Sequence, residues 1–175
     1  MSRAVRFAPL ALLLVLVAGL VWRLSTPADT SVRSRLEGQP VPAFDLAAPL
    51  PAKPAFSSRD LASGKPRLVN IFASWCVPCV TEVRVLKALQ QRGVAIDGIA
   101  IRDRPEDIAA FLARHGDPYA RIGSDDQSAV QIALGSSGVP ESFVVDGRGI
   151  IRHQHIGDLR PENVATVLAA MQAAQ

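Results

Sequence analysis

At 175 residues the chain is long enough for one ordinary domain and a short extension, and such a domain buries most of its apolar surface without disulfide staples. The formal net charge of +3 lies in residues 1–33, where four arginines stand against one aspartate, so the remainder of the chain is neutral. The high isoelectric point therefore reports a basic N-terminal flank, and the charge distribution gives no indication of nucleic-acid binding.

The N-terminus has the pattern of an export or anchor signal. Arg3 and Arg6 precede an uncharged apolar run over 7–22, and Arg23 closes it. Sixteen residues are fewer than the ~20 of a full membrane span, so a cleaved signal peptide remains an alternative. Trp22 beside Arg23 resembles an interfacial aromatic with a snorkelling cation, and no A-x-A-like cleavage site follows, which favours an uncleaved anchor.

This interpretation divides the chain into a signal anchor over 1–23, a polar tether over 24–39 and a folded domain over 40–175. The arginines ahead of the apolar run favour a cytoplasmic N-terminus, which would place the domain on the periplasmic side of a bacterial inner membrane. Five prolines exclude a helix from residues 40–54, although residues 44–46 could form a short edge strand.

The folded part alternates between strand and helix patterns. Short β-branched, apolar runs predict buried strands, and apolar residues at three- to four-residue spacing predict helices. In chain order we expect a strand over 67–73, a helix over 77–92, a strand over 94–101, a helix over 105–115 that Asp103 could cap, a short strand over 120–123, a short helix over 126–134, a hairpin of strands over 142–146 and 149–156, and a last helix from Pro161. This order predicts an α/β fold with parallel strands joined by right-handed crossovers and an antiparallel hairpin at one edge.

The cysteine pair Cys76 and Cys79 follows the first buried strand and opens the next helix. Chemistry in open α/β sheets lies beyond the carboxyl ends of the parallel strands. A cysteine at a helix N-terminus faces unpaired N–H groups and the positive end of the helix dipole, which stabilise the nucleophilic thiolate. We therefore expect Cys76 to be the exposed attacking thiol and Cys79 the buried resolving thiol. Pro78 fits the first turn, where its missing N–H costs nothing.

Two other uses of the cysteines must be weighed against redox chemistry. A structural disulfide would close a ring of only four residues, which constrains the unfolded chain little. A zinc site needs four ligands, and only His115, His153 and His155 could join the cysteines. The βαβ context favours redox chemistry, so we expect neither a metal nor another cofactor.

Trp75-Cys-Val-Pro-Cys79 after a buried strand is similar to the active-site motif of the thioredoxin superfamily. Gly138-Val-Pro-Glu-Ser-Phe143, with the runs over 146–152 and 157–159, resembles the thiol:disulfide interchange proteins of cytochrome c maturation, the DsbE/CcmG type. The likeness covers about residues 36–175. It implies a thioredoxin-like fold, with a central mixed sheet flanked by helices and an extra strand and helix inserted before the hairpin.

The resemblance implies a membrane-tethered periplasmic protein-disulfide reductase. Such a protein takes electrons from a membrane thiol transporter and keeps the haem-binding Cys-x-x-Cys-His of apocytochrome c reduced. Val77-Pro78 departs from the Pro-Thr that these proteins often carry, which leaves open a broader envelope reductase or oxidase. A copper-site assembly factor or a non-catalytic binding module is a third alternative. Copper-binding proteins of this fold resemble the pattern Cys-x-x-x-Cys with a distant histidine, and the cysteine spacing here is one residue shorter, which argues against them.

The resemblance also implies supporting residues around the disulfide. Val139-Pro140 matches the cis-proline of the superfamily, the alternative being an ordinary turn proline. Glu141 would then face the site, and Glu82, one helical turn after the second cysteine, would lie near the thiols unless it is a solvated surface residue. A nearby carboxylate disfavours thiolate and makes a stronger reductant. Asn70 stands where thioredoxins carry a buried aspartate, so proton transfer would depend on Glu82 or water.

Overall fold

The computed structural model describes residues 12–21, 23 and 36–175, and the chain divides into two units at residue 32. Residues 12–21 and 23 are helical, and the leucine and valine side chains among them are largely exposed. None of the helices in the described ranges has both the length and the apolar composition needed to cross a membrane. Most of the expected anchor over 1–23 and tether over 24–39 lies outside the described residues.

A five-stranded sheet forms the centre of the domain, in the order β5-β4-β3-β6-β7. The strands β3, β4 and β5 are parallel, while β6 runs antiparallel to β3 and β7 antiparallel to β6. The strands are β1 (Asp45–Leu46), β2 (Phe56–Ser57), β3 (Arg67–Phe72), β4 (Ile96–Ile101), β5 (Arg121–Asp125), β6 (Glu141–Val145) and β7 (Ile151–Ile156). The predicted mixed sheet is therefore confirmed, and its extra strand is β5, which extends the parallel part.

The helices flank this sheet and bury one apolar face each. In α2, Val83, Leu86 and Leu89 are buried at three-residue steps, and α3 buries Ile108 and Leu112, which are four residues apart. The helices are α1 (Ser58–Leu61), α2 (Val77–Gln91), α3 (Pro105–His115), α4 (Ala129–Ala133) and α5 (Val164–Ala173), the last preceded by a 3₁₀ turn over Pro161–Asn163. The strand and helix order expected from the sequence is thereby confirmed from residue 67 onward.

Residues 36–41 pair with the hairpin, so the folded part begins before the predicted boundary at residue 40. Gly38 donates its N–H to the C=O of Ile151 at 2.7 Å, and Ile151 donates back to Gln39 at 3.0 Å. Val41 donates to Gly149 at 2.8 Å. The predicted tether over 24–39 is therefore too long, because backbone pairing of this kind needs no apolar side chains and leaves no hydrophobic pattern.

A small hairpin lies along the opposite edge of the sheet. The expected strand over 44–46 exists as β1, and it pairs antiparallel with β2, which the sequence pattern did not indicate. Loop carbonyls beside these two strands accept N–H groups of β5: Ser124 donates to Ala47 at 2.9 Å, and Ile122 donates to Pro54 at 3.3 Å. Segments of the chain therefore bond to both outer strands, β5 and β7.

Candidate active site

Cys76 and Cys79 form a disulfide between the end of β3 and the start of α2, with their Cα atoms 5.3 Å apart. Cys76 is the N-cap residue of α2, and its Sγ accepts the backbone N–H of Cys79 at 3.2 Å. Pro78 lies in the first helical turn, as expected. Backbone N–H groups at a helix N-terminus stabilise negative charge, so the N–H of Cys79 favours a thiolate on Cys76 once the disulfide is reduced.

Both cysteines are buried in the disulfide form. Their residue exposures are 4% for Cys76 and 1% for Cys79. The expected exposed Cys76 is therefore wrong for this state, because the S–S bond and the N–H of Cys79 hold its sulfur against the helix. The neighbouring side chains are open instead, with Trp75 57% and Val77 76% exposed. A partner molecule that approaches the disulfide meets these apolar side chains first.

The loop before Cys76 is fixed to the loop after β4. The carboxylate of Asp103 accepts the backbone N–H of Ser74 at 2.5 Å and its hydroxyl at 2.7 Å. The indole N–H of Trp75 donates to the C=O of Arg102 at 3.2 Å. The expected capping role of Asp103 is therefore wrong: the N-cap of α3 is Arg104, which makes no side-chain cap. The carboxyl ends of the parallel strands β3 and β4 lie at the same edge of the sheet, so the loops that follow them meet there, and Asp103 binds Ser74.

The Val139-Pro140 peptide bond is cis, as the resemblance implied. Residue 141 at the start of β6 pairs with Ile71 near the carboxyl end of β3, so the proline loop lies at the same side of the sheet as the disulfide. The C=O of Pro140 accepts the N–H of Gly157 at 3.0 Å. The neighbouring Ile156 pairs with Glu141 and is 45% exposed, which adds an apolar side chain that sequence analysis did not single out.

Glu82 is a buried residue of α2, so the solvated alternative is wrong. Its Oε1 accepts an N–H of the Asn70 side chain at 3.0 Å, and its Oε2 accepts the backbone N–H of Leu159 at 3.1 Å. Burial raises the pKa of Glu82 to about 7, against the lowering effect of these two hydrogen bonds. A carboxyl with such a pKa, one helical turn from Cys79, can take up or release a proton near neutral pH.

Glu141 is equally buried, but more hydrogen bonds hold it. Its Oε1 accepts the backbone N–H of Ser137 at 2.9 Å and the hydroxyl of Ser137 at 2.6 Å. Its Oε2 accepts the side-chain amide of Gln154 at 2.9 Å. The carboxylate therefore ties the proline loop to β7.

The histidines do not join the cysteines. His153 and His155 lie on one face of β7, where Nδ1 of His153 is 3.8 Å from Glu37 and Nε2 of His155 is 3.2 Å from the C=O of Asp158. Over residues 12–21, 23 and 36–175, no group of three or more potential metal-binding side chains is found.

A Cys-x-x-Cys disulfide at a helix N-terminus, beside a cis-proline loop on a mixed sheet, is the arrangement of a thioredoxin-like thiol–disulfide oxidoreductase. Residues 36–170 match the Redoxin family, to which the chain belongs. It is 37% identical over 166 residues to the thiol:disulfide interchange protein DsbE of Tatumella citrea, covering 93% of this chain and 90% of that protein.

The same similarity extends to further relatives. The thiol:disulfide interchange protein HelX of Rhodobacter capsulatus is 37% identical over 166 residues, which cover 95% of this chain and 93% of that protein. A crystal structure of a thiol:disulfide interchange protein of the thioredoxin family from Chlorobium tepidum TLS superposes with a TM-score of 0.58 at 28% identity, covering 77% of this chain and 94% of that chain. Fold, cysteine pair and relatives thus agree on disulfide exchange as the activity.

Proposed function

We propose that this protein reduces the disulfide of apocytochrome c before haem attachment. The observation that carries the proposal is the similarity to the DsbE and HelX interchange proteins over 93–95% of the chain, which includes the cysteine pair and the proline loop. The cytochrome assignment follows from the resemblance of residues 138–159 to the interchange proteins of cytochrome c maturation.

In the proposed reaction, the thiolate of reduced Cys76 attacks one sulfur of the substrate disulfide. A mixed disulfide forms, and the other substrate sulfur leaves as a thiolate that takes up a proton. The thiol of Cys79 then loses its proton and attacks the Sγ of Cys76, which releases the second substrate thiol. Two electrons have passed to the substrate, and the Cys76–Cys79 disulfide remains. The hydrogen bond from the Cys79 N–H supports the attacking role of Cys76.

Glu82 is the proposed acceptor of the Cys79 proton. Its place one turn along α2 and its pKa of about 7 support this role. At a pH near its pKa about half of the carboxyl groups are ionised and able to accept a proton. When ionised, Glu82 also disfavours thiolate nearby, which favours the disulfide and makes the dithiol a stronger reductant. Glu141 contributes mainly by holding the proline loop in place.

Substrate contacts divide between backbone and side chains. Pro140 has no N–H, so Val139 supplies the main-chain groups that pair with an extended substrate strand. The exposed side chains of Trp75, Val77 and Ile156 form an apolar rim that packs against the substrate around its disulfide. We refer to these three residues as the apolar rim.

The cellular setting is part of the same proposal. Arg3, Arg6 and the apolar run over 7–22 support an anchor in the bacterial inner membrane with the domain in the periplasm. A membrane thiol transporter would return electrons to the disulfide. Confinement to the membrane raises the effective concentration near the site of cytochrome assembly. Mass spectrometry of the membrane-extracted protein should find peptides from before residue 24, whereas a soluble form that starts after the run would exclude the anchor.

Gene deletion tests the substrate assignment. We expect the deletion strain to lose holocytochrome c, and a small exogenous thiol to restore part of it. Complementation with the wild-type chain should restore the cytochrome fully, whereas Cys76→Ser should not. If c-type cytochromes stay normal while other envelope disulfides accumulate, the broader reductase function is correct instead.

A further inference from the structure

Tyr119 is a buried residue between α3 and β5 that takes no direct part in the proposed exchange between the cysteines. Its ring stacks on Phe72 of β3, with the centroids 4.6 Å apart. Gly98 of β4 leaves room for the two rings, because a Cβ there would lie 2.8 Å from Phe72 and 3.0 Å from Tyr119. The hydroxyl of Tyr119 donates to Oδ1 of Asn70, two residues before Phe72 on the same face of β3, at 2.8 Å.

Asn70 connects this hydroxyl to Glu82. Its side-chain N–H groups donate to Oε1 of Glu82 at 3.0 Å and to the hydroxyl of Ser142 at 3.0 Å. Asn70 is fully buried, so water cannot replace either partner. An amide has one end that accepts and one that donates. When Tyr119 donates to the oxygen end, the nitrogen end must face Glu82.

The opposite orientation of the amide would bring its oxygen against the carboxylate of Glu82. Two acceptors in contact repel each other unless Glu82 carries a proton. The direction of the Asn70 amide and the protonation of Glu82 are therefore coupled. The Tyr119 hydroxyl supports the observed orientation by donating to Oδ1, and the C=O of Glu141, 3.5 Å from Nδ2, supports it from the other end.

We propose that Tyr119 is a positioning residue for the proton transfer of disulfide exchange: its hydroxyl orients the Asn70 amide so that an N–H faces Glu82, which receives the proton of Cys79. The inference rests on the role of Glu82 in the proposed function. In this step the proton of the Cys79 thiol moves to the Glu82 carboxylate, and the sulfur electron pair forms the bond to Cys76. The substrate sulfur leaves with the electrons of the broken mixed disulfide.

Loss of the hydroxyl has a defined direction. Without it Oδ1 of Asn70 loses its hydrogen bond in a buried site, so the orientation that donates to Glu82 is less stable, and the N–H of Leu159 is the donor to Glu82 that does not depend on Asn70. A carboxylate with weaker donors is harder to form, so the pKa of Glu82 rises above about 7. The carboxylate of Asp158, the charged group that also raises this pKa, is the same in the wild type and in a variant of Tyr119. Fewer molecules then hold an ionised Glu82 at neutral pH, and resolution of the mixed disulfide shifts to higher pH.

Tyr119→Phe tests this by keeping the stacked ring and removing the hydroxyl. The rate at which Cys79 resolves a mixed disulfide on Cys76 is measured against pH. We expect the midpoint to move up by about one pH unit and the rate below it to fall about tenfold, as for the loss of one hydrogen bond to a charged group. Asn70→Ala should shift the midpoint in the same direction, and the double variant should add nothing further.

The control is Phe72→Leu, which disturbs the same ring stack and leaves the hydroxyl in place. It should lower the stability without moving the midpoint. In Glu82→Gln the pH step should vanish. If the step persists in Glu82→Gln, the proposed role of Glu82 is wrong. If it vanishes there but Tyr119→Phe has the wild-type midpoint, only the role of Tyr119 is wrong.

A second measurement does not depend on a variant of Tyr119 that folds. Tyr119 is the only tyrosine of the chain, so growth on 3-fluorotyrosine labels this position alone and keeps the hydroxyl. The ¹⁹F resonance of the oxidised protein should show a titration step near pH 7 that follows Glu82. The step should be absent in Glu82→Gln and present in Glu141→Gln, which changes an equally buried acid with other partners. A resonance that does not respond to pH in the wild-type protein would overturn the coupling.

Discussion

Two contrasting groups of residues surround the disulfide. Asn70 and Glu82 are buried, bond to each other and leave no polar atom open to a substrate. The apolar rim is exposed, and the indole N–H of Trp75 donates its side-chain hydrogen bond to the C=O of Arg102. We therefore expect the buried pair to act on protonation and the rim to act on binding. Each function should therefore change without the other when residues of only one group are replaced.

Removal of Cys79 should give the largest effect, because both groups act through the exchange that this residue completes. In Cys79→Ala we expect turnover to fall by roughly three orders of magnitude or more, with mixed disulfides accumulating through Cys76. Non-reducing gels followed by peptide mass spectrometry would identify the linked cysteine. The matched variant Cys76→Ala should accumulate no mixed disulfide. Equal amounts of mixed disulfide through Cys79 in that variant would contradict the assignment of Cys76 as the attacking thiol.

Replacement of Glu82 should change the pH dependence of stability. Its pKa is about 7 in the folded protein against 4.5 for a free side chain, so the folded state is favoured while the carboxyl is protonated. That stability is present below pH 4.5 and is lost as the pH rises through 7. The loss amounts to about 3 kcal/mol.

The free energy of unfolding of the oxidised protein, measured in urea on both sides of this window, should show that loss in the wild type. Glu82→Gln should abolish it, and the control Glu141→Gln should retain it. Parallel pH curves for the wild type and Glu82→Gln would mean that burial does not control this carboxyl.

Truncation of the rim should weaken binding alone. We expect Trp75→Ala to raise KM for a Cys-x-x-Cys-His disulfide peptide about tenfold, as the loss of one exposed aromatic contact does, with the pH midpoint of resolution unchanged. Ile132→Ala is the matched control, since Ile132 is an apolar side chain of α4 with 68% exposure. A shift of the pH midpoint in Trp75→Ala would show that rim and buried pair are not separate.

The smallest expected effect is on the redox potential. Removal of a negative charge near the thiols favours the thiolate, so Glu82→Gln should lower the pKa of Cys76 and move the potential toward oxidising by about 20 mV, or about 1 kcal/mol. Glu141→Gln should move it in the same direction by less, because Ser137 and Gln154 already neutralise part of that charge. Equilibration with glutathione above pH 7 would measure both. Unchanged potentials would place both acids too far from the sulfurs to matter.

Features with a local signal were predictable from the sequence. The helix over 105–115 has a proline at its start, acidic residues in its first turn and Gly116 at its end, and α3 has those bounds. The cysteine motif and the proline loop were found in the same way. Features that depend on distant residues were not predictable. Glu82 accepts a hydrogen bond from Leu159, 77 residues away along the chain. Tyr119, in the connection between α3 and β5, donates to Asn70 of β3. No single segment shows these partners, so the burial of Glu82 stayed an open question and Tyr119 was missed.

The pairing at both outer strands has a consequence for aggregation. Residues 38–41 bond to Gly149 and to Ile151 at the start of β7, and the carbonyls of Ala47 and Pro54 accept N–H groups of β5. An open strand edge would attract any extended polypeptide and would lead to aggregation. With the start of β7 and two positions of β5 occupied in this way, an extended polypeptide meets shorter free edges on both sides of the sheet. Fewer free backbone groups at the edges lower the tendency of the domain to pair with other chains and aggregate.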